Sequence, residues 1–336
     1  FNPRSTIRQN LNWSTGLFNG DGKDYSPAFG VQGASYMSNL PDGTTERKHL
    51  DTGENPPNGV IIYYWLDKGG SESGVSISIK DHNGKMIAKF DSDASKSPDK
   101  KKPSIKEGFN CFVWDLTEDS PIKIDKELEN RKYKPFAKGE GGPPPGAKVI
   151  PGAYTLLLTA QGETKETSLE VVKDPRIDTS DEDFSLQHAL YSKICSKLSE
   201  LNIAVNRIRL MKQQLNNIHK IIPEQGDVAG KLVSDLELIE GALVDVKRET
   251  PRDVLRHPAG LDDTLIKLLD VVKISDSKPP AQAHEVSDDI FGKVDLLMEQ
   301  LDSLVEGKIT KFNGAIAKAS PPAVTGSSIG ALKTGW

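Results

Sequence analysis

Between Asp174 and Leu186 the hydrophobic period of the chain changes. Upstream, apolar residues alternate with period two, the mark of strands. Downstream they recur every three or four residues, the mark of amphipathic helices. No helical pattern interrupts the strands, so a parallel α/β sheet is disfavoured. The 336 residues are instead expected to form an α+β multidomain chain. Its order would be an N-terminal extended arm (1–56), an antiparallel β-sandwich of the immunoglobulin or fibronectin kind (57–174), a long antiparallel helical bundle (175–320) and a flexible tail (321–336).

The strand section reads clearly. "GVIIYYWL" (59–66) is β-branched and aromatic. "VSISIK" (75–80) places Val75, Ile77 and Ile79 on one face. Asn83-Gly84 in "DHNGK" is a strong hairpin signal, and "KMIAKF" (85–90) is its return strand. "NCFVWDL" (110–116), "GAYTLLLTA" (152–160) and "TKETSLEVV" (164–172) follow, the last two joined by the tight "QGE". Two insertions break the series. "SDASKSPDKKKPSIKE", with Lys96, Lys100, Lys101, Lys102 and Lys106, reads as a solvated loop. "KGEGGPPPGAKVIPG" (138–152) cannot hold a regular ladder and is expected on the surface.

Asp174-Pro175 ends the last strand, and Ser180 has the character of an N-cap ahead of Asp181, Glu182 and Asp183. From Leu186 through Leu190, Ile194, Leu198, Leu201, Val205, Ile208, Leu215 and Ile218 to Ile222, apolar residues form one stripe. This predicts a helix of about 40 residues, roughly 60 Å long, ended by Pro223. Further helices are predicted at about 227–249, 261–274 and 280–318. A stripe that long needs partners, so the first, second and fourth helices are expected to pack antiparallel with coiled-coil-like contacts.

In "FNCFVWDL" both faces of a strand are apolar. Phe112, Trp114 and Leu116 share one face, and Phe109, Cys111 and Val113 the other. Such a strand is expected to be covered on both sides, the second by the arm, the helices or another domain. Asp115 at its end is expected to bond to turn backbone, not to act as an acid. The arm is too polar and glycine-rich to build a core, and Trp13, Phe18, Tyr25, Phe29 and Tyr36 would anchor it on another surface. With Phe109, Cys111 and Val113 these are the candidate docking residues.

Chemistry is hard to find. A net charge of −5 argues against nucleic acid as a partner, and no apolar run approaches the ~20 residues of a membrane span. Cys111 and Cys195 sit in apolar patterns and are expected to be buried free thiols. His49, His82, His188, His219, His257 and His284 show no metal-ligand spacing, and there is no C-x₂-C, Walker loop, G-x-G-x-x-G or G-x-S-x-G. No catalytic, cofactor or metal site is expected. A sequence that begins at Phe1 reads as a processed product or a fragment.

"FNPRSTIR", "LPDGTTERKHLDTGENPPNGVIIYYWL", "GFNCFVWDL", "IPGAYTLLLTAQGE", "VVKDPRIDTSDEDFSLQ" and the late "SPPAV" resemble, as a set, the C-terminal region of bacterial sortilin-like β-propeller proteins with BNR-type repeats, often labelled glycosyl hydrolases. Part of the strand section is similar to the immunoglobulin-like domain of flagellar hook-capping proteins, with Asn110, Trp114, Asp115, Pro151, Gly152 and Tyr154 in matching places. In the first family a propeller precedes this region. Its Ser-x-Asp-type turns are absent here, so no propeller site has a residue to be carried onto. The resemblance implies an exported protein, extracellular, periplasmic or at the cell surface, whose arm and sandwich dock on a propeller without catalysis. Two alternatives stand beside it: a carbohydrate-binding module using ring stacking by residues such as Trp13 and Tyr36 on polysaccharide, and a hydrolase with a carboxylate pair that no motif singles out.

Overall fold

The computed structural model describes residues 1–9, 22–24, 35–39, 45–50, 57–68, 74–93, 95, 101–125, 127–128, 144–247, 249 and 256–319. It is an α+β chain. The strands are β1 (Thr6–Arg8), β2 (Gly22–Asp24), β3 (Ser35–Asn39), β4 (Thr45–His49), β5 (Val60–Leu66), β6 (Val75–Lys80), β7 (Met86–Asp91), β8 (Gly108–Trp114), β9 (Gly152–Ala160) and β10 (Glu163–Lys173). The helices are α1 (Asp181–Ile221), α2 (Gly226–Leu243), α3 (Leu261–Val272), α4 (Ala281–Leu304) and α5 (Thr310–Ala319).

Five strands pair in the order β1-β10-β9-β6-β7, in a sheet curled into a half-barrel. β5 and β8 form a separate antiparallel ribbon. Sheet and ribbon share one hydrophobic cluster, in which Ile62 and Tyr64 of β5 and Phe112 and Trp114 of β8 meet Ile77, Ile79, Leu156 and Val171 of the sheet. The alternation legible in "VSISIK" is the observed one, with Val75, Ile77 and Ile79 buried. The β6–β7 turn is closed by Asp81, whose Oδ1 accepts from the N–H groups of Asn83 and Lys85, each at 2.9 Å. Gly84 there has φ +81°, a left-handed conformation that glycine adopts without steric cost. Gln161 and Gly162 turn the β9–β10 hairpin at φ +55° and +80°.

Two expectations for the strand section need correction. The first is the irregular arm. β1 pairs parallel to β10 as an edge strand, which makes the sheet mixed, and β2, β3 and β4 form a small antiparallel sheet. Short polar strands with turn residues between them look like loop in composition, because backbone pairing needs no apolar side chain. The second is the Pro/Gly-rich segment, expected on the surface. Its last residues run inward, with Ala147 and Val149 at 1% and 2% exposure. Ala147 joins the helical core and Val149 the strand core. Lys148 between them pairs with Thr117 in an isolated bridge. Gly146 allows this, since a Cβ there would meet Asp119 O at 2.3 Å.

The helical section has its own core, built from α1, α2, α3 and α4 with Ile309 and Phe312 beyond them. Ser180 caps α1 as expected, its Oγ accepting from Asp183 N at 3.1 Å. α1 spans 41 residues. The predicted last helix is α4 and α5 joined by a π-helical turn at Val305–Ile309. Salt bridges give the directions. Lys193, Lys197 and Arg207 of α1 meet Asp288, Asp295 and Asp302 of α4 in ascending order, so these two helices run parallel, contrary to the antiparallel expectation. α2 opposes both, because the short Pro223–Gln225 turn returns it along α1, where Arg209 and Lys212 meet Glu240, and Lys308, just past α4, meets Asp235. α2 and α3 follow one another along α1, which leaves α4 to return in the direction of α1. The exposed pairs contribute at most about 1 kcal/mol each.

The Arg209–Glu240 pair is different, with side chains 3% and 2% exposed at 2.7 Å. Burial alone would raise the Glu240 pKa, but hydrogen bonds from Lys212 and Arg209 outweigh it, and the pKa lies below the ordinary 4.5. A carboxyl depressed in this way stabilises the fold at pH values above the unfolded pKa, and its contribution is lost as the pH falls through the folded one. We predict that Glu240→Gln costs about 3 kcal/mol in urea unfolding at pH 7. The gap to wild type should narrow as the pH drops below about 4. A gap independent of pH would show that the ionised pair is not what Glu240 contributes. Gly59 has φ +137° and a Cβ there would lie 2.1 Å from Trp114 O, so Gly59→Ala should lower the unfolding midpoint by the equivalent of about 1–3 kcal/mol.

Candidate functional site

The β5–β8 ribbon sends alternate side chains inward. Val60, Ile62, Tyr64, Leu66, Phe112 and Trp114 are each at most 2% exposed. The polar atoms of the two amphipathic rings are paired: Trp114 Nε1 donates to Thr117 O at 2.9 Å and Tyr64 Oη to Ser104 O at 2.6 Å. Trp114 is core, with no exposed surface of its own. Asp115 holds the turn after the strand, its Oδ1 accepting from Thr117 N at 3.1 Å and from Thr117 Oγ1 at 2.6 Å.

The other face is open. Register places Trp65 opposite Phe109, Tyr63 opposite Cys111 and Ile61 opposite Val113. Trp65 is 61%, Phe109 59% and Tyr63 40% exposed. Cys111 is also exposed, while Ile61 and Val113 are half-buried. Tyr63 stacks on Phe109 with ring centroids 5.1 Å apart, and Phe1 meets Phe109 edge-on at 6.2 Å. A groove of about 890 Å³ separates the N-terminal segment from this face, with Pro3, Asn58, Ile61 and Tyr63 in its walls. The cover expected for Phe109, Cys111 and Val113 is therefore only partial among the described residues: Val113 is half-buried, while Phe109 and Cys111 stay exposed. An antiparallel ribbon can leave one face open, and an apolar pattern does not distinguish a covered face from one that awaits a partner. Of the arm's candidate anchors, Tyr36 lies on β3 and is 44% exposed, while Trp13, Phe18, Tyr25 and Phe29 lie outside the described residues.

A second feature lies where strands meet helices. A cleft of about 280 Å³ is lined by Arg8, Asp115, Lys148, Gln187, Tyr191 and Asp276, among others. Arg8 is 4% exposed. Its Nη2 meets Asp276 Oδ1 and Gln187 Oε1, each at 3.2 Å, and its guanidinium lies 4.6 Å from the centre of the Phe184 ring. Lys148 Nζ donates to Gln9 O. Burial pushes the Lys148 ammonium below its ordinary pKa; Asp276 and Asp115 oppose the shift and Arg8 adds to it. Burial likewise lowers the Arg8 pKa against the pull of Asp276. His188 Nε2 and Glu118 Oε1 are 3.1 Å apart nearby. Sequence pattern alone does not single out this cluster. Its one legible signal is Gln187, a polar residue at core spacing ahead of Leu190 and Ile194.

No family model matches the chain, and no curated protein matches it. Among the described residues no group of three or more His, Cys, Asp or Glu is placed to hold a metal ion, and no helix is long and apolar enough to cross a membrane.

The cysteines differ, which corrects the expectation that both are buried. Cys195 faces the helical core, and burial pushes its thiol up to about 12, with Glu118 adding to the shift. Cys111 is exposed on the aromatic face. Since the thiolate is the reactive form, a maleimide should label Cys111 in the native protein and Cys195 only in denaturant. Mass spectrometry after a short pulse reads this directly, and native labelling of Cys195 would contradict the burial described.

Proposed function

We propose that this chain is a docking and assembly segment of an exported sortilin-like β-propeller protein, a non-catalytic body that holds on to a propeller domain. In this reading the strand section acts as an immunoglobulin-like sandwich and the helical section as a long bundle, and the protein works outside the cytoplasm. The observation that carries the proposal is the open outer face of β5–β8, where Trp65, Phe109 and Tyr63 sit together beside Cys111. Aromatic rings offer large apolar areas, at about 25 cal/mol per Å² on burial, and exposed clusters of this kind commonly mark interaction surfaces. The sequence resemblance supplies the partner, since the arm and sandwich would meet a propeller there.

The test is direct binding between the full chain and a recombinant propeller domain of the sortilin-like family, read by analytical ultracentrifugation. Complex formation, weakened at least tenfold (about 1.4 kcal/mol) by Trp65→Ser combined with Phe109→Ser, is the expected result. A propeller that ignores the wild-type chain, or binds the double variant equally well, would sink the reading.

A second reading draws on the same rings. Tyr63 stacked on Phe109, with Trp65 alongside, is a platform on which a sugar ring can lie, so the face would bind polysaccharide. Binding on a glycan array that Trp65→Ala abolishes would favour this reading over the first.

A further inference from the structure

The cleft between strands and helices holds donor capacity that the protein does not use. Arg8 is an arginine at 4% exposure whose Nε and Nη1 have no hydrogen-bond partner. A buried, unsatisfied donor of this kind is costly, more so when charged, unless something enters to accept its N–H groups. Lys148 stands on the same cleft with its ammonium already desolvated. Tyr191, whose Oη donates to Pro145 O at 3.1 Å, and the His188 ring complete one wall. The exposed Asp115 carboxylate, held through Oδ1 by Thr117, stands on the same cleft.

We propose that this cleft binds a small carboxylate that also carries a hydrogen-bond donor, its carboxylate on Arg8 and Lys148 and its donor toward Asp115. Charge sets the class. The lining cations are Arg8, Lys148 and Lys273, and the lining carboxylates Asp115 and Asp276, with Lys273 further engaged by Asp270 at 2.8 Å. With Lys273 so engaged, Arg8 and Lys148 stand against Asp115 and Asp276, a balanced set that suits a carboxylate whose own donor meets Asp115 and leaves no surplus for a dianion. Size sets the scale, because about 280 Å³ lies at the small end of ligand cavities. The donor is a hydroxyl or an ammonium, both of which a carboxylate accepts. This site is separate from the open aromatic face and does not depend on what docks there.

Thermal melts of the full chain with glycolate, glycine, acetate and sulfate separate the alternatives. Glycolate or glycine should raise the melting temperature saturably, acetate should bind more weakly, and sulfate, a dianion without a donor, should have no specific effect. On titration the Arg8 Nε–H resonance should shift in ¹H–¹⁵N spectra, which a non-specific salt effect would not produce. Lys148→Met should weaken binding about tenfold, as loss of one charge-assisted hydrogen bond requires. Asp115→Asn keeps the side-chain oxygen that accepts from Thr117, so the turn is retained. It should erase the preference of glycine over acetate while acetate binding stays. Absence of a saturable shift with every probe, or an Arg8 resonance that does not move, would overturn the proposal and make the cleft a hydrated crevice.

Discussion

Helix α1 has to satisfy two kinds of neighbour along one rod. Its apolar stripe meets α2, α3 and α4 in the helical core. A polar stripe, Ser199, Asn202, Asn206 and Arg209, steps along it by three or four residues and binds the backbone of the segment before the Pro/Gly-rich insertion. Ser199 Oγ accepts from Ile122 N at 3.1 Å and Asn206 Oδ1 from Asp125 N at 2.9 Å. Asn202 donates to Ile122 O at 2.7 Å, Asn206 to Lys123 O at 3.1 Å and Arg209 to Leu128 O at 3.2 Å. A connecting segment has backbone groups that no ladder satisfies, and side chains at helical spacing meet that need in register. Each such bond contributes roughly 0.5–1.5 kcal/mol net, so the row fastens the strand section to the helices without merging their cores.

The junction is polar for the same reason. Near the N-terminal end of α1, Gln187 accepts from Arg8 and donates to Val272 O at 2.8 Å, so one side chain ties β1, α1 and the end of α3 together. Apolar contact in its place would have fused two cores whose strands and helices pack with different periods. A polar seam instead leaves room between Ala147 and Val149, which face opposite cores, and Lys148 stands in that room. The cleft follows from how the sections are joined.

What could be read in advance follows from how local each signal is. Side-chain period and turn chemistry are local, so β5 to β10 and α1 fall close to their predicted limits, and the Ser180 cap and the Asn83-Gly84 turn are found as expected. Helix direction is not local. The stripe of α4 is compatible with either orientation, and the pairing of its aspartates with α1 decides it. Apolarity alone implies burial of both faces of β8, yet Phe109 and Cys111 face outward, because the pattern records which face repels water and not what covers it. Asn202 and Asn206 stand beside the apolar stripe, each one residue past Leu201 and Val205. Their purpose becomes visible only once Lys123 and Asp125 lie beside them.

The two halves of the ribbon make opposite demands on β8. Inward, Phe112 and Trp114 fill the strand core, and Trp114 also fixes the turn through its bond to Thr117 O. That turn sets Leu116 at φ +66° with its side chain fully buried, a conformation disfavoured for a bulky residue, and Gly59 must stay glycine to let the chain pass Trp114 O. So tight an inner face fixes the pitch and register of the ribbon, and through them the spacing of Trp65, Tyr63 and Phe109 outside. A solvent-facing strand under no other demand would carry polar residues at these positions. Large rings there, on a backbone pinned from within, form an outer surface whose shape does not depend on any partner, and a preorganised surface loses less entropy on binding than one that must first be ordered.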